Sequence, residues 1–195
     1  MSVYGWQRYL SIEQDFIKAQ YYVSFDIKDA YSEFFSREVI LLGSEIESAF
    51  KELCKRIDGS TPGNIGQYKQ TILSFYPGII NVGVINKQTN EIQFPFKDWD
   101  SSTLSWWEIY SNTKHALVDK TATLQVALIM LQALELLFFC ITTKSASSSI
   151  FLDYLETPRL FKPAFQPGFA IMGDMNQVYT YSKQEIEEIL RGNSI

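Results

Sequence analysis

The sequence contains a single histidine, His115, and the residue types around it are the ones most suited to chemistry. They lie in the run Trp106-Trp-Glu-Ile-Tyr-Ser-Asn-Thr-Lys-His-Ala-Leu-Val-Asp119. At about 100° per residue on a helix, Glu108, Asn112, His115 and Asp119 fall within about 60° of one another. Trp106, Trp107, Tyr110, Leu117 and Val118 form a broad apolar arc on another side. Carboxylates near an imidazole set its tautomer and raise its pKa toward neutrality, and such a histidine can act as a general acid or base. The same spacing also suits a plain solvated face, with Glu108 capping the N-terminus of its helix and Asp119 capping the next one. Lys114 falls between Tyr110 and Val118 on the aromatic side. It must snorkel, lie over a ring, or pair with a carboxylate of an earlier helix, where Glu45, Glu52 and Lys51 are the candidate neighbours.

Other chemistry finds little support. One histidine and two cysteines cannot supply a zinc site of ordinary ligand count, so no metal site is expected. Cys54 and Cys140 have no Cys-x-x-Cys spacing and read as buried thiols in a reducing compartment. Asp98-Trp-Asp100 could ligate Mg²⁺, but two loop carboxylates before a helix more often cap it. Gly59-Ser-Thr-Pro-Gly63 is not followed by the Gly-Lys-Ser/Thr of a phosphate loop, and no Gly-x-Ser-x-Gly elbow occurs. The basic cluster Lys51-Glu-Leu-Cys-Lys-Arg56 suits the C-terminus of a helix, whose dipole accounts for it. No cofactor motif is legible.

The elements that must position these residues follow from composition and periodicity. The 195 residues include 14 Phe, 11 Tyr and 4 Trp, and only 20% are charged, which is the balance of a globular chain with a substantial core. A net charge of -5 argues against an extensive grip on DNA or other nucleic acid, because that grip needs cations to displace phosphate counterions. Met1 to Gln14 lacks the continuous apolar core of a signal peptide, so a cytoplasmic protein is expected. Leu124 to Ile141 is long and apolar enough to suggest a membrane span, but Gln125, Gln132 and Glu135 interrupt it within one sector. A central helix of a soluble protein explains that pattern, and no membrane partner is expected.

Ser11-Ile-Glu-Gln14 has the form of a capping box and predicts a first helix from about Ile12 to Ser24. Asp26 or Asp29 opens a longer helical pattern that Asp58-Gly59 closes. Pro62 can begin a short helix through Tyr68, Ile72 and Leu73, which ends before Pro77-Gly78. Ile79 to Ile85 and Glu91 to Phe96 flank a polar connection and predict a hairpin, with Pro95 placing the second strand at an edge or ending it. Ser105-Trp-Trp-Glu108 caps a helix through Val118, and an apolar helix covers 121 to about 142. Thr142 to Ser149 reads as a loop or a frayed helix end. Pro158, Pro163 and Pro167 predict an irregular tail, and Ser182-Lys-Gln-Glu185 caps a last helix that stops at Gly192. The expected fold is mainly α, a single-domain helical bundle over residues 1–195. Its core helices occupy about 12–57 and 104–142, with one small β-hairpin insert at about 79–96 and an irregular C-terminal tail from about 156. About half of the chain is expected to be helical.

The Trp-Trp-x-x-Tyr-x-Asn-x-Lys-His pattern of residues 106–115, followed by the apolar run of 121–137, resembles a helix pair found in uncharacterised prokaryotic HEPN-like proteins. The segment Ala30 to Lys55, with its Tyr-Ser start and Lys-Glu-Leu-Cys end, is similar to the helix that accompanies that pair. Together these segments span about half of the chain. The resemblance implies a helical bundle that commonly forms homodimers, and a setting in RNA metabolism or phage defence. Many such proteins are metal-independent ribonucleases, in which a histidine moves protons at the ribose 2′-OH and scissile phosphate. An arginine that precedes it with four to six residues between the two stabilises the phosphate charge. Here His115 matches the histidine and Asn112 its polar companion, whereas the positions open to the arginine hold Glu108, Ile109 and Tyr110. The pattern therefore leads to the expectation of a non-catalytic binding or interaction module. Its polar face would consist of Glu108, Asn112, His115 and Asp119, supported by Lys114, Glu45 and Lys51, with RNA or a nucleotide as a possible ligand. The alternative is an endoribonuclease that uses His115.

Overall fold

A computed structural model describes residues 3–115, 120–145, 149–151, 158–164, 168–172 and 176–192. Six α-helices dominate them: α1 Val3–Ala19, α2 Glu33–Asp58, α3 Ile65–Phe75, α4 Ser105–His115, α5 Leu124–Ser145 and α6 Lys183–Leu190. The fold is mainly helical with small β elements, as the sequence leads one to expect. Its spine is the pair α2 and α5, which share the largest interface, with α3 and α4 laid against α2 and α1 against α5.

α2 buries Phe35, Val39, Leu42, Ile46, Phe50 and Leu53, a stripe at three- and four-residue spacing that packs on one side only. The helix starts later than Asp26 or Asp29. Ser32 is its cap, with Oγ accepting from Phe35 N–H at 3.2 Å, and Gly59 closes it at φ 79° while donating to Lys55 O. The residues before Ser32 have another task. The carbonyls of Lys28 and Ala30 accept from Gln125 N–H at 2.9 Å and Leu124 N–H at 2.8 Å, so this loop supplies the acceptors that the first turn of α5 lacks.

The first helix also departs from expectation. α1 runs from Val3 to Ala19, and Ser11 lies exposed within it instead of at its start. The periodic apolar positions Trp6, Tyr9 and Phe16 are all buried, and that packing overrides the local capping signal. At α3 the cap is Asn64, whose Oδ1 accepts from Gln67 N–H at 3.0 Å while Gln67 Oε1 accepts from Gly63 N–H at 2.8 Å. Pro62 stands upstream of that reciprocal pair.

The expected hairpin exists but is short. Residues Pro77–Asn81 form a 3-10 turn, and only β1 Val84–Asn86 and β2 Ile92–Gln93 pair, with Val84 opposite Gln93. Its turn is held by Asn86 Oδ1, which accepts from Gln88 N–H at 2.9 Å and Thr89 N–H at 3.3 Å. β2 is an edge strand and ends before Pro95. The segment expected to be an irregular tail contributes strands instead. β4 Phe161–Pro163 adds to the other side of β1, giving the order β2-β1-β4. β3 Ser149–Phe151, β5 Gly168–Met172 and β6 Asn176–Ser182 form a second antiparallel sheet in the order β3-β6-β5. Pro163 is tolerated because β4 is an edge strand. β4 and β3 pair with strands distant in the chain, whereas β5 and β6 pair as neighbours, and Phe169, Ile171, Val178, Tyr179, Thr180 and Tyr181 carry a local strand signal that the prolines and glycines of the segment obscure.

α5 is the one described helix long and apolar enough to cross a membrane, and 83% of its apolar window is buried inside the protein. Cys54 and Cys140 are buried free thiols, pushed up by burial to about 11 and about 12 respectively.

Candidate functional site

α4 is fixed from behind. Trp106 and Tyr110 are buried, and the Trp106 indole donates to Pro95 O at 2.8 Å. Phe50 of α2 stacks on Trp99 and Tyr68 and is tilted against Trp107, so the aromatic residues expected to form the packing arc of this helix do so. Tyr110 reaches α2 through a notch at Gly43, where a methyl group would overlap its ring.

The other face of α4 is open. Glu108, Asn112 and His115 are all exposed, and among the described residues no hydrogen bond or ion pair joins the three to one another. Asp119, the fourth member of the expected polar face, lies outside the described residues. Lys114 is exposed, with Nζ 5.7 Å from the centroid of the Tyr110 ring on its own helix. The α2 side chains considered as its partners are engaged elsewhere. Glu45 pairs with Arg8 of α1 at 2.8 Å, Lys51 with Glu47 at 2.8 Å and Glu52 with Arg56 at 2.6 Å. The structure therefore brings Glu108, Asn112, His115 and Lys114 to one helix and places Glu45 and Lys51 in ion pairs of their own. Asp98 and Asp100 are exposed on either side of buried Trp99, and among the described residues no group of three or more His, Cys, Asp or Glu could hold a metal ion.

A second constellation lies inside the bundle, where α1, α5, the hairpin turn and the tail meet. Glu13 of α1 is 2% exposed, and its carboxylate accepts from Arg159 N–H at 2.9 and 3.0 Å and from Leu160 N–H at 2.8 Å. It thereby anchors the chain just before β4 to the first helix. Burial raises its pKa, and the backbone donors together with the charges of Lys87 and Arg159 oppose the rise. Glu135 of α5 is 3% exposed, and among the described residues its Oε2 has no hydrogen-bond partner. Burial first, then the charge of Glu13, push its pKa up to about 8 against a weaker pull from Lys87. Its carboxyl group is therefore largely protonated at neutral pH.

Lys87 is half-buried and donates through Nζ to Pro158 O. Its pKa is lowered by burial, with Glu135 and Glu13 acting the other way. Tyr9 completes the group; its hydroxyl is buried without a partner among the described residues, and burial with the two carboxylates holds its pKa well above the ordinary value. Two acids, an amine and a phenol thus share one desolvated junction and can hold a proton there. Reading the sequence locally does not assemble this group, because its members come from three distant segments. One signal was present, since Gln132 and Glu135 are polar positions in an otherwise apolar helix. Their common sector faces the interior: Gln132 is 1% exposed.

Comparison of the chain with protein-family models, with curated proteins and with solved structures returns no match.

Proposed function

We propose that this protein is a non-catalytic, HEPN-like binding or interaction module that works in an RNA-related or defence setting in the cytoplasm. In this reading it uses the open face of α4, with Glu108, Asn112 and His115, to contact a partner, first of all a second copy of the chain. One observation carries the non-catalytic part of the reading. Position 110, one of those open to the phosphate-binding arginine of the nucleases that the sequence resembles, holds a tyrosine sunk into the Gly43 notch of α2. A side chain spent on helix packing cannot stabilise a phosphate, and Glu108, another of those positions, is an anion. The exposed face stands on a base locked by aromatic contacts, which is how a recognition surface keeps its shape.

The test is direct. Purified protein incubated with total RNA in the presence of a chelator is expected to leave the RNA intact, and light scattering is expected to show a dimer that Glu108→Arg weakens. Robust RNA cleavage that His115→Ala abolishes would overturn the reading in favour of an endoribonuclease, and a monomer at all concentrations would remove the dimer from it.

A further inference from the structure

The loop between α1 and α2 carries the most exposed large apolar side chains among the described residues. Tyr21 and Tyr22, just past the end of α1, are 84% and 91% exposed, and Ile27 in the same loop is 52% exposed. Single exposed apolar groups are ordinary, whereas neighbouring ones mark contact surfaces. The loop that presents them is held firmly. Its backbone runs through successive tight turns, with Tyr22 N–H donating to Ala19 O at 3.0 Å, Ile27 N–H to Ser24 O at 3.1 Å and Ala30 N–H to Ile27 O at 3.0 Å. Phe25 is buried beneath it, Lys28 bridges Glu91 at 2.9 and 3.0 Å, and Gln88 of the hairpin turn donates to Gln20 at 3.1 Å. The two rings therefore stand on a base that a partner does not have to order on binding.

Area and charge decide what fits. An aromatic side chain covers about 150–250 Å² when it is buried, so the two rings and the open half of Ile27 offer about 400 Å². A stable interface between globular proteins takes about 800 Å² from each side. The surface is too small for a second copy of the chain to be held by it alone, and large enough for a few residues of an extended segment. Its rim is anionic. Asp26, Asp29 and, in the first turn of α2, Glu33 are exposed, and none of them has an ion-pair partner among the described residues, while the nearby cations Lys18 and Lys28 are neutralised by Asp15 and Glu91. Unpaired carboxylates repel the phosphates of RNA and of acidic lipids and attract cations. Among cationic side chains arginine suits this surface best, because its planar guanidinium stacks on phenol rings and forks onto carboxylates, whereas an ammonium holds its water more tightly. We propose that the α1–α2 loop docks a short, extended, arginine-bearing segment of a partner protein, with guanidinium groups on Tyr21 and Tyr22, paired with Asp26 and Asp29, and an aliphatic side chain against Ile27. These contacts use only exposed groups, and the surface does not depend on the reading of α4.

The experiment titrates the full chain, at constant ionic strength, with the end-blocked peptide Leu-Arg-Leu-Arg-Leu and with its lysine and glutamate counterparts. Binding is followed by the anisotropy of labelled peptide and by the ring signals of Tyr21 and Tyr22 in NMR. The arginine peptide is expected to bind saturably and to shift both ring signals. The lysine peptide, equal in charge, is expected to bind at least threefold more weakly, and the glutamate peptide not at all. Affinity is expected to fall at least tenfold in Tyr21→Ser/Tyr22→Ser and at least threefold in Asp26→Asn/Asp29→Asn, and to survive Tyr22→Phe, which keeps the ring. All four side chains are exposed, so these variants keep the fold. No saturable binding of the arginine peptide would overturn the proposal, and so would equal affinity for the lysine peptide, which would mean attraction by net charge alone. Undiminished binding in either double variant would overturn it as well. Oligouridylate, phosphatidylcholine vesicles and light scattering test the other occupants: binding of either probe, or a dimer, that Tyr21→Ser/Tyr22→Ser abolishes would overturn the proposal in favour of RNA, a lipid surface or a second copy of the chain.

Discussion

Replacing Glu135 by glutamine tests whether the interior acid cluster is real, because it removes one proton equilibrium and leaves the shape almost unchanged. In the folded protein this carboxyl group holds its proton up to about pH 8, against an ordinary value of 4.5 that applies to the unfolded chain. Between those two values the folded state binds more proton than the unfolded state, so unfolding releases one. Stability from this group is therefore fully present below about pH 4.5 and declines as the pH rises toward 8, at roughly 1.4 kcal/mol per unit. From pH 4.5 to pH 7 the loss amounts to about 3 kcal/mol, a large fraction of the ~5–15 kcal/mol that holds a domain folded. Glu13 is raised in the same direction, and Glu38 of α2, buried beside Asp15, likewise; both remain in the variant and cancel in the comparison. Urea unfolding at pH 5, 6, 7 and 8 should therefore give curves for the wild type and Glu135→Gln that nearly coincide at pH 5. They should separate progressively, with the variant more stable by about 2–4 kcal/mol at pH 8. Parallel profiles across the range would show that Glu135 is ionised or hydrated in the folded state, and would refute the description of the junction as desolvated.

Two further outcomes follow from the packing of α4. Gly43→Ala places a methyl group in the ring of Tyr110, which is held by Trp107 at a centroid distance of 5.2 Å, so unfolding free energy should drop by about 1–3 kcal/mol or more; a change under 0.5 kcal/mol would mean the helices can part without cost. His115→Ala should leave stability within about 0.5 kcal/mol of the wild type, since the side chain is exposed, and a larger loss in urea titration would show a structural role for the imidazole.

What could be read in the sequence was whatever periodicity and local chemistry encode. The stripe of α2, the αL glycine at its end, the start of α4 at Ser105 and the apolar length of α5 all follow from neighbours in the chain, and the structure has each of them. Local signals fail where a distant segment supplies what a local one offers. Ser11 and Gln14 offer a cap, but the buried faces of Trp6 and Tyr9 extend α1 through them. Asp26 and Asp29 offer helix starts, but the carbonyls around them are needed by α5, 94 and more residues later in the chain. The tail reads as irregular because three prolines punctuate it, and β4 forms because Glu13 holds two of its approaching amides and β1 presents an open edge. The exposed side chains of α4 could be placed on one face from spacing, whereas the junction of Tyr9, Glu13, Lys87 and Glu135 could not, since no spacing rule connects α1 to the turn after β1.

The polar sector of α5 is the place where folding requirements and sequence part company. A helix buried on nearly all sides is satisfied by leucine, and most of this one is leucine, isoleucine, alanine and phenylalanine. Gln132 and Glu135 instead put two polar groups, one turn apart, into the interior, each with an oxygen that no donor among the described residues meets, and the Tyr9 hydroxyl, likewise without a partner among them, stands within electrostatic reach of Glu135. Such groups cost about 1–3 kcal/mol apiece when unsatisfied, more than a helix cap or a surface ion pair returns. Stability gives no reason for them. A chain that carries this cost in its central helix departs there from an ideal core, and departures that stability does not explain are where functional demands on a fold are most often met.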